Sequence, residues 1–221
     1  MAQEGVDVPK PLVKIQNEAM IDRLIRIFNH CGAENIYIIT NNLTPLTQDH
    51  LHQLQEANPK LHLIVKTTPS SMHSFYELRK VMDKGKFCLT TVDTIFREEE
   101  FKQYIQTWQE SDEDGMMAVT DYIDDEKPLY IATDEDLYIT GFFDKEPQRY
   151  ISGGIYGLNE KSFPVIDKCI REGQSRMRNF QRQLVKEGLT LKAYPFSKIL
   201  DVDHASDIEK AEEFLNKPSK H

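Results

Sequence analysis

Apolar and polar positions alternate between two spacings along the first half of the chain. Met20, Ile21, Leu24, Ile25 and Phe28 recur at helical intervals over 18–30, with Asn17 as a plausible N-cap and Gly32 just past the end. IYIIT at 36–40 is a short apolar run, the pattern of a buried strand. Leu51 and Leu54 mark an inward helical face in 47–57, and LHLIV at 61–65 reads as the next strand. Met72, Phe75, Leu78 and Met82 predict another helix, and FCLTTVD at 87–93 a strand ending in an acid. Phe101, Tyr104, Ile105 and Trp108 share a helical face over 97–109. Successive helix-to-strand units predict a mainly parallel sheet with helices on both faces and right-handed crossovers.

The second half reads differently. Strand-like runs crowd together at 116–122, 129–133 and 137–143, separated by the polar breaks DDEK and DED, which predict a meander or hairpin. SGGIYGLN at 152–159 reads as a further strand, followed by helices near 161–172 and 175–187, the strand LKAYPF at 191–196 and a last helix over 205–216. No repeat, low-complexity segment or linker interrupts 1–216, so one domain is expected, with 217–221 as a frayed tail.

Composition narrows the function. Apolar residues make up 39% and charged residues 29%, which suits a globular protein with a sizeable core. The net charge of -9 argues against a general nucleic-acid binder, which needs a basic surface. No apolar run reaches a membrane span, and MAQEGVDVPK has neither the basic nor the apolar region of a signal peptide. Cys31, Cys88 and Cys169 are too scattered for a disulfide framework and read as buried free thiols, so a reducing, cytoplasmic setting is expected.

Five stretches carry candidate chemistry. Lys10 lies between Pro9 and Pro11, a stiff and extended setting that would aim its ammonium at a fixed anion; alone, a solvated surface lysine is the commoner case. Asp93 ends a predicted strand where α/β sheets bind ligands and is a hard Mg²⁺ donor, although it would equally cap the following helix. Asp201 and Asp203 alternate, sharing a face if extended, ahead of a helix that opens near Ser206 or Asp207. Ser152, Gly153 and Gly154 interrupt an apolar strand, which permits a ligand's approach or simply a bulge. Ser70 and Ser71 stand at a strand-to-helix junction, suited either to a base or ribose or to capping. No dinucleotide fingerprint, P-loop, esterase elbow or zinc spacing is present.

Taken in order, these stretches resemble the sugar-phosphate nucleotidyltransferases, the MobA-like NTP-transferase group. PKPLVKIQNEAMIDRLIRIFNHCGAENIYIIT resembles the family's Lys-Pro-Leu segment, helix and strand, and TTVDTIF its metal-binding strand end. SGGIYGLN resembles its sugar-binding strand, and ILDVDHASDIEKAEEFL its closing acid, turn and helix. The likeness covers residues 5–216 and implies a three-layer α/β/α fold. In that fold a Rossmann-like, mainly parallel sheet is joined to an antiparallel meander, as in the nucleotide-diphospho-sugar transferases. It implies an NTP and a sugar phosphate as substrates, with Mg²⁺ on Asp93 and Asp201 and Lys10 on a phosphate. Ser70 and Ser71 fall where the family contacts the base, and Gly153 and Gly154 would border the sugar. Ser152 stands where many members have Asn.

The family opens with an apolar strand and a glycine-rich loop ending in Arg, and MAQEGVDVPK begins just after that point. A sheet lacking its first strand, weak NTP binding and impaired turnover are therefore expected. Two other classes remain open: a non-catalytic paralogue or fragment that binds a nucleotide or partner, and a nucleotide-sugar-dependent glycosyltransferase. The single acid of TVDT, where glycosyltransferases place a DxD, speaks against the latter.

Overall fold

A computed structural model describes residues 1, 4–124 and 127–218. After a 3-10 turn at Lys10–Leu12, the elements in chain order begin with β1 (Lys14–Ile15), β2 (Glu18–Ala19), α1 (Met20–His30), β3 (Ile36–Thr40), α2 (Pro45–Ala57) and β4 (Leu61–Val65). Then come α3 (Ser71–Leu78), β5 (Phe87–Thr90), β6 (Thr94–Ile95), α4 (Glu98–Glu110), β7 (Gly115–Thr120), β8 (Tyr130–Thr133), β9 (Ile139–Phe143) and β10 (Tyr150–Leu158). The chain closes with α5 (Ser162–Arg171), α6 (Met177–Lys186), β11 (Leu191–Phe196), β12 (Leu200–Asp201) and α7 (Ala205–Asn216). The α/β class expected from the sequence holds. The strand ladders are mixed: β3–β4 and β7–β11 run parallel, while β10 runs antiparallel to β5, β7 and β8.

The residues group into two compact units. The first comprises Met1–Thr67, Val92–Glu98 and Leu200–His221; the second comprises Thr68–Thr91 and Glu99–Ile199.

In the first unit, Ile21 and Ile25 of α1 pack with Ile36, Leu51 and Leu61. The start of α1 differs from the sequence expectation. Asn17 is not its N-cap: Gln16 and Asn17 have φ of 52° and 67° and turn the two-residue hairpin between β1 and β2. Two left-handed residues match the twist of the flanking strands, a geometry Asn tolerates well. The expected buried strand IYIIT is buried only at Ile36 and half-buried beyond, because β3 pairs only with β4 among the described strands. β6 and β12 form a short antiparallel ladder, Ile95 opposite Leu200 and Thr94 opposite Asp201. α7 is tied at its C-terminal end by Arg97, which donates to the carbonyls of Phe214 and Lys217 at 2.9 and 2.6 Å.

The second unit is built on β7, buried at all six positions and flanked by β10 and β11. Its core joins Phe75 of α3, Met117 and Val119 of β7, Leu158 of β10 and Phe180 and Leu184 of α6. Tyr104 is fully buried, and its hydroxyl donates to the Met116 carbonyl at 2.8 Å. Of the three cysteines expected to be buried, only Cys169 is; Cys31 and Cys88 are partly exposed.

Candidate active site

Asp93 and Asp203 reach one point because the β6–β12 ladder continues past its last pair. The Val202 amide donates to the Asp93 carbonyl at 3.0 Å, which sets Asp203 one residue beyond. Ile95 and Val202, 1% and 0% exposed, anchor the ladder in the core and leave Asp201 and Asp203, on either side of Val202, exposed. At the far end, the Asp207 carboxylate in the first turn of α7 accepts from the amides of Asp203 and His204 at 3.2 and 2.8 Å. An acid there satisfies N–H groups the helix leaves open and favours its positive end.

Lys10 completes the cluster. Its setting is not the extended one expected: Lys10 opens a 3-10 turn, and only Pro9 before it is extended, with ψ of 145°. Pro9 and Pro11 still fix the backbone on both sides. The Lys10 Nζ donates to Asp93 Oδ2 at 2.5 Å and to Asp203 Oδ1 at 2.7 Å. Burial opposes the charge on Lys10, but Asp93 and Asp203 outweigh it and hold its pKa above the usual lysine value.

Asp201 has a different surrounding. It faces Thr94 across the ladder, and its Oδ1 accepts from the Thr94 hydroxyl at 3.3 Å. The acid that shares the Lys10 ammonium with Asp93 is therefore Asp203, the other member of the alternating pair. One nitrogen thus bridges an oxygen of Asp93 and an oxygen of Asp203.

The remaining candidates lie in the second unit. Ser70 is the residue before α3, with its Oγ 2.9 Å from His73 Nδ1, and Ser71 opens the helix, exposed. Ser152, Gly153 and Gly154 form an irregularity in β10, where the register to β7 shifts between Ser152 and Tyr156. Gly154 has φ of 72°, and its carbonyl accepts from the Thr90 hydroxyl at 3.1 Å. Gly153 is packed shut: an added Cβ would meet Ile199 Cδ1 at 2.3 Å and the Ala118 carbonyl oxygen at 3.1 Å. That glycine answers to the protein's own side chains, whereas Gly154 carries the backbone bend.

Sequence reasoning passed over one buried charge. Arg23 is 4% exposed, with its Nη2 donating to the Phe96 carbonyl at 2.7 Å and its guanidinium 5.4 Å from the Phe96 ring centre. Its spacing from Met20 and Ile27 on α1 placed it on the buried face.

The family model for nucleotidyl transferases matches residues 5–218. The chain belongs to that family. It is 23% identical over 224 residues to the bifunctional IPC transferase and DIPP synthase of Aquifex aeolicus, covering 96% of this chain and 48% of that protein. The chain thus spans about half the length of the curated relative it matches. Among solved structures, it is similar to the inositol-1-phosphate CTP transferase from T. maritima, with a TM-score of 0.79, 15% identity, and 98% of this chain and 93% of that one covered. It is also similar to a putative glucose-1-phosphate thymidylyltransferase from Bacillus anthracis, with a TM-score of 0.81, 17% identity, and coverage of 97% and 89%. The CTP:phosphocholine cytidylyltransferase of Streptococcus pneumoniae follows, with a TM-score of 0.75, 17% identity, and coverage of 95% and 91%. These structures share its fold. No helix among the described residues is long and apolar enough to cross a membrane.

Proposed function

We propose that this chain transfers a nucleotidyl group from an NTP to the phosphate of a sugar-phosphate-like acceptor, releasing pyrophosphate. The observation that carries this reading is the Lys10–Asp93–Asp203 cluster in a chain of the nucleotidyl transferase family. The acceptor phosphate oxygen attacks the α-phosphorus in line, and the bond from Pα to the bridging oxygen breaks, its electron pair leaving with pyrophosphate. No protein nucleophile is required, so the protein's part is positioning and charge neutralisation.

Two carboxylates and one ammonium leave the cluster net negative, which would repel a triphosphate. A divalent cation reverses that balance, and hard carboxylate oxygens suit Mg²⁺. Asp93 and Asp203 would hold it, with Asp201 beside Thr94 as an outer acid. Bound there, Mg²⁺ would neutralise charge on the phosphates. Lys10 would bind a phosphate oxygen. The names of the relatives favour an inositol, hexose or choline phosphate as acceptor and CTP or dTTP as donor. These 221 residues hold no glycine-rich phosphate loop, so we propose weak NTP binding and slow turnover for this segment by itself.

The test measures pyrophosphate release with each NTP against a panel of those phosphates. It uses the 221-residue chain and a version extended by an apolar strand and glycine-rich loop. Turnover in the extended version that Asp93→Asn abolishes supports the reading. No release from either version with any pair defeats it.

A further inference from the structure

We infer that Lys10 is the internal competitor of the divalent cation: its ammonium occupies the place between Asp93 and Asp203 that the metal would take, and the two exchange. The inference rests on the reading of those carboxylates as the cation pair. Lys10 Nζ is 2.5 and 2.7 Å from one oxygen of each acid. A Mg²⁺ ion held by the same two carboxylates would compete for the oxygens that the ammonium now bonds, and two cations that close repel strongly. One of them must leave.

The geometry says which can. The Lys10 backbone is held by Pro9 and Pro11, but its side chain is 33% exposed on a flexible four-carbon stem. Asp93 and Asp203 are tethered through their backbones to Val202 and Asp207, so the acids stay and the ammonium swings. A displaced ammonium remains within side-chain reach of the metal and meets whatever phosphate the metal binds. Metal and phosphate then assist each other: a phosphate that draws Lys10 away frees the acids, and a metal that frees Lys10 supplies the phosphate's partner. The arrangement also offsets one of the two negative charges on a protein that carries a net charge of -9.

The competition has a measurable signature that activity does not supply. If Lys10 holds the carboxylates about nine-tenths of the time, the apparent metal affinity is lowered about 10-fold, and removing the ammonium restores it. The experiment titrates Mn²⁺ alone into the wild-type chain, Lys10→Met and Asp93→Asn, following free Mn²⁺ by electron paramagnetic resonance, with circular dichroism to verify folding. Lys10→Gln replaces the Met variant should that one unfold. The expected result is Mn²⁺ binding about 10-fold tighter in Lys10→Met than in wild type, and none in Asp93→Asn. Equal Mn²⁺ affinity in wild type and the Lys10 variants overturns the exchange and leaves the carboxylates as a cation site. No Mn²⁺ binding to wild type or either Lys10 variant overturns the cation reading and this inference with it.

Discussion

Replacing Gly153 by Ala separates a packing glycine from a ligand-facing one. The new Cβ would lie 2.3 Å from Ile199 Cδ1 and 3.1 Å from the Ala118 carbonyl oxygen. The Ile199 methyl is the end of a side chain and can rotate away, although at 8% exposure it has little room. The Ala118 carbonyl belongs to β7, which is paired on both sides and cannot yield. Overpacking of this kind costs about 1–3 kcal/mol. At about 2–4 °C per kcal/mol for a chain of this size, the melting temperature should fall by roughly 2–12 °C. Ile199→Val removes the nearest methyl and should cost about 1 kcal/mol on its own. In the double variant the contact with Ile199 Cδ1 is gone and only the Ala118 carbonyl contact remains, so the combined loss should fall short of the sum of the separate losses by about 0.5 kcal/mol or more. Calorimetry on the four proteins reads all of this. Strict additivity, or an unchanged melting temperature in Gly153→Ala, would refute the claim that Ile199 fills the space over this glycine.

Lys10→Met in an active, loop-bearing version should lower turnover about 10²-fold, in line with the loss of one preorganised charge, as measured by pyrophosphate release. Arg23→Ala should destabilise the chain by about 2 kcal/mol in urea titration, since it empties a fully packed site and strips the Phe96 carbonyl of a charged donor. Glu18 and Glu98 both bond Arg26, which lowers their pKa values below the ordinary carboxylate value of 4.5. Their contribution is therefore present above pH 4.5 and lost as pH falls through the depressed values, so the acid limb of a stability-versus-pH curve should flatten in Arg26→Met. All three side chains are about a third exposed, so the effect should shrink further in high salt.

Most elements were legible because their periodicity reports burial directly. The helix over 205–216 and the strand at 191–196 appear with the expected bounds. The hairpin ahead of α1 was missed because Gln16 and Asn17 lack the Gly that usually announces such a turn, and Asn17 imitates a helix cap. Lys10 and Asp93 were both singled out, yet their direct pairing was not, since a contact across 83 residues leaves no local spacing. Asp203 rather than Asp201 joins them because each position along the ladder turns toward a different partner, and that register is not written in the alternation itself.

The β3–β4 pair bears on how the chain breathes. The Ile36 amide donates to Lys60 and the Thr40 carbonyl accepts from Lys66, so alternate residues of β3, Ile39 among them, turn their peptide groups toward the edge away from β4. Parallel strands are ordinarily sheltered on both sides, and half-buried Ile38 and Ile39 lack that shelter. Amide protons of β3 should therefore exchange with solvent through small local openings, while those of β7 wait for global unfolding. A deuterium map would show this contrast within one polypeptide. Any strand laid along β3 would announce itself first as slowed exchange at Ile39.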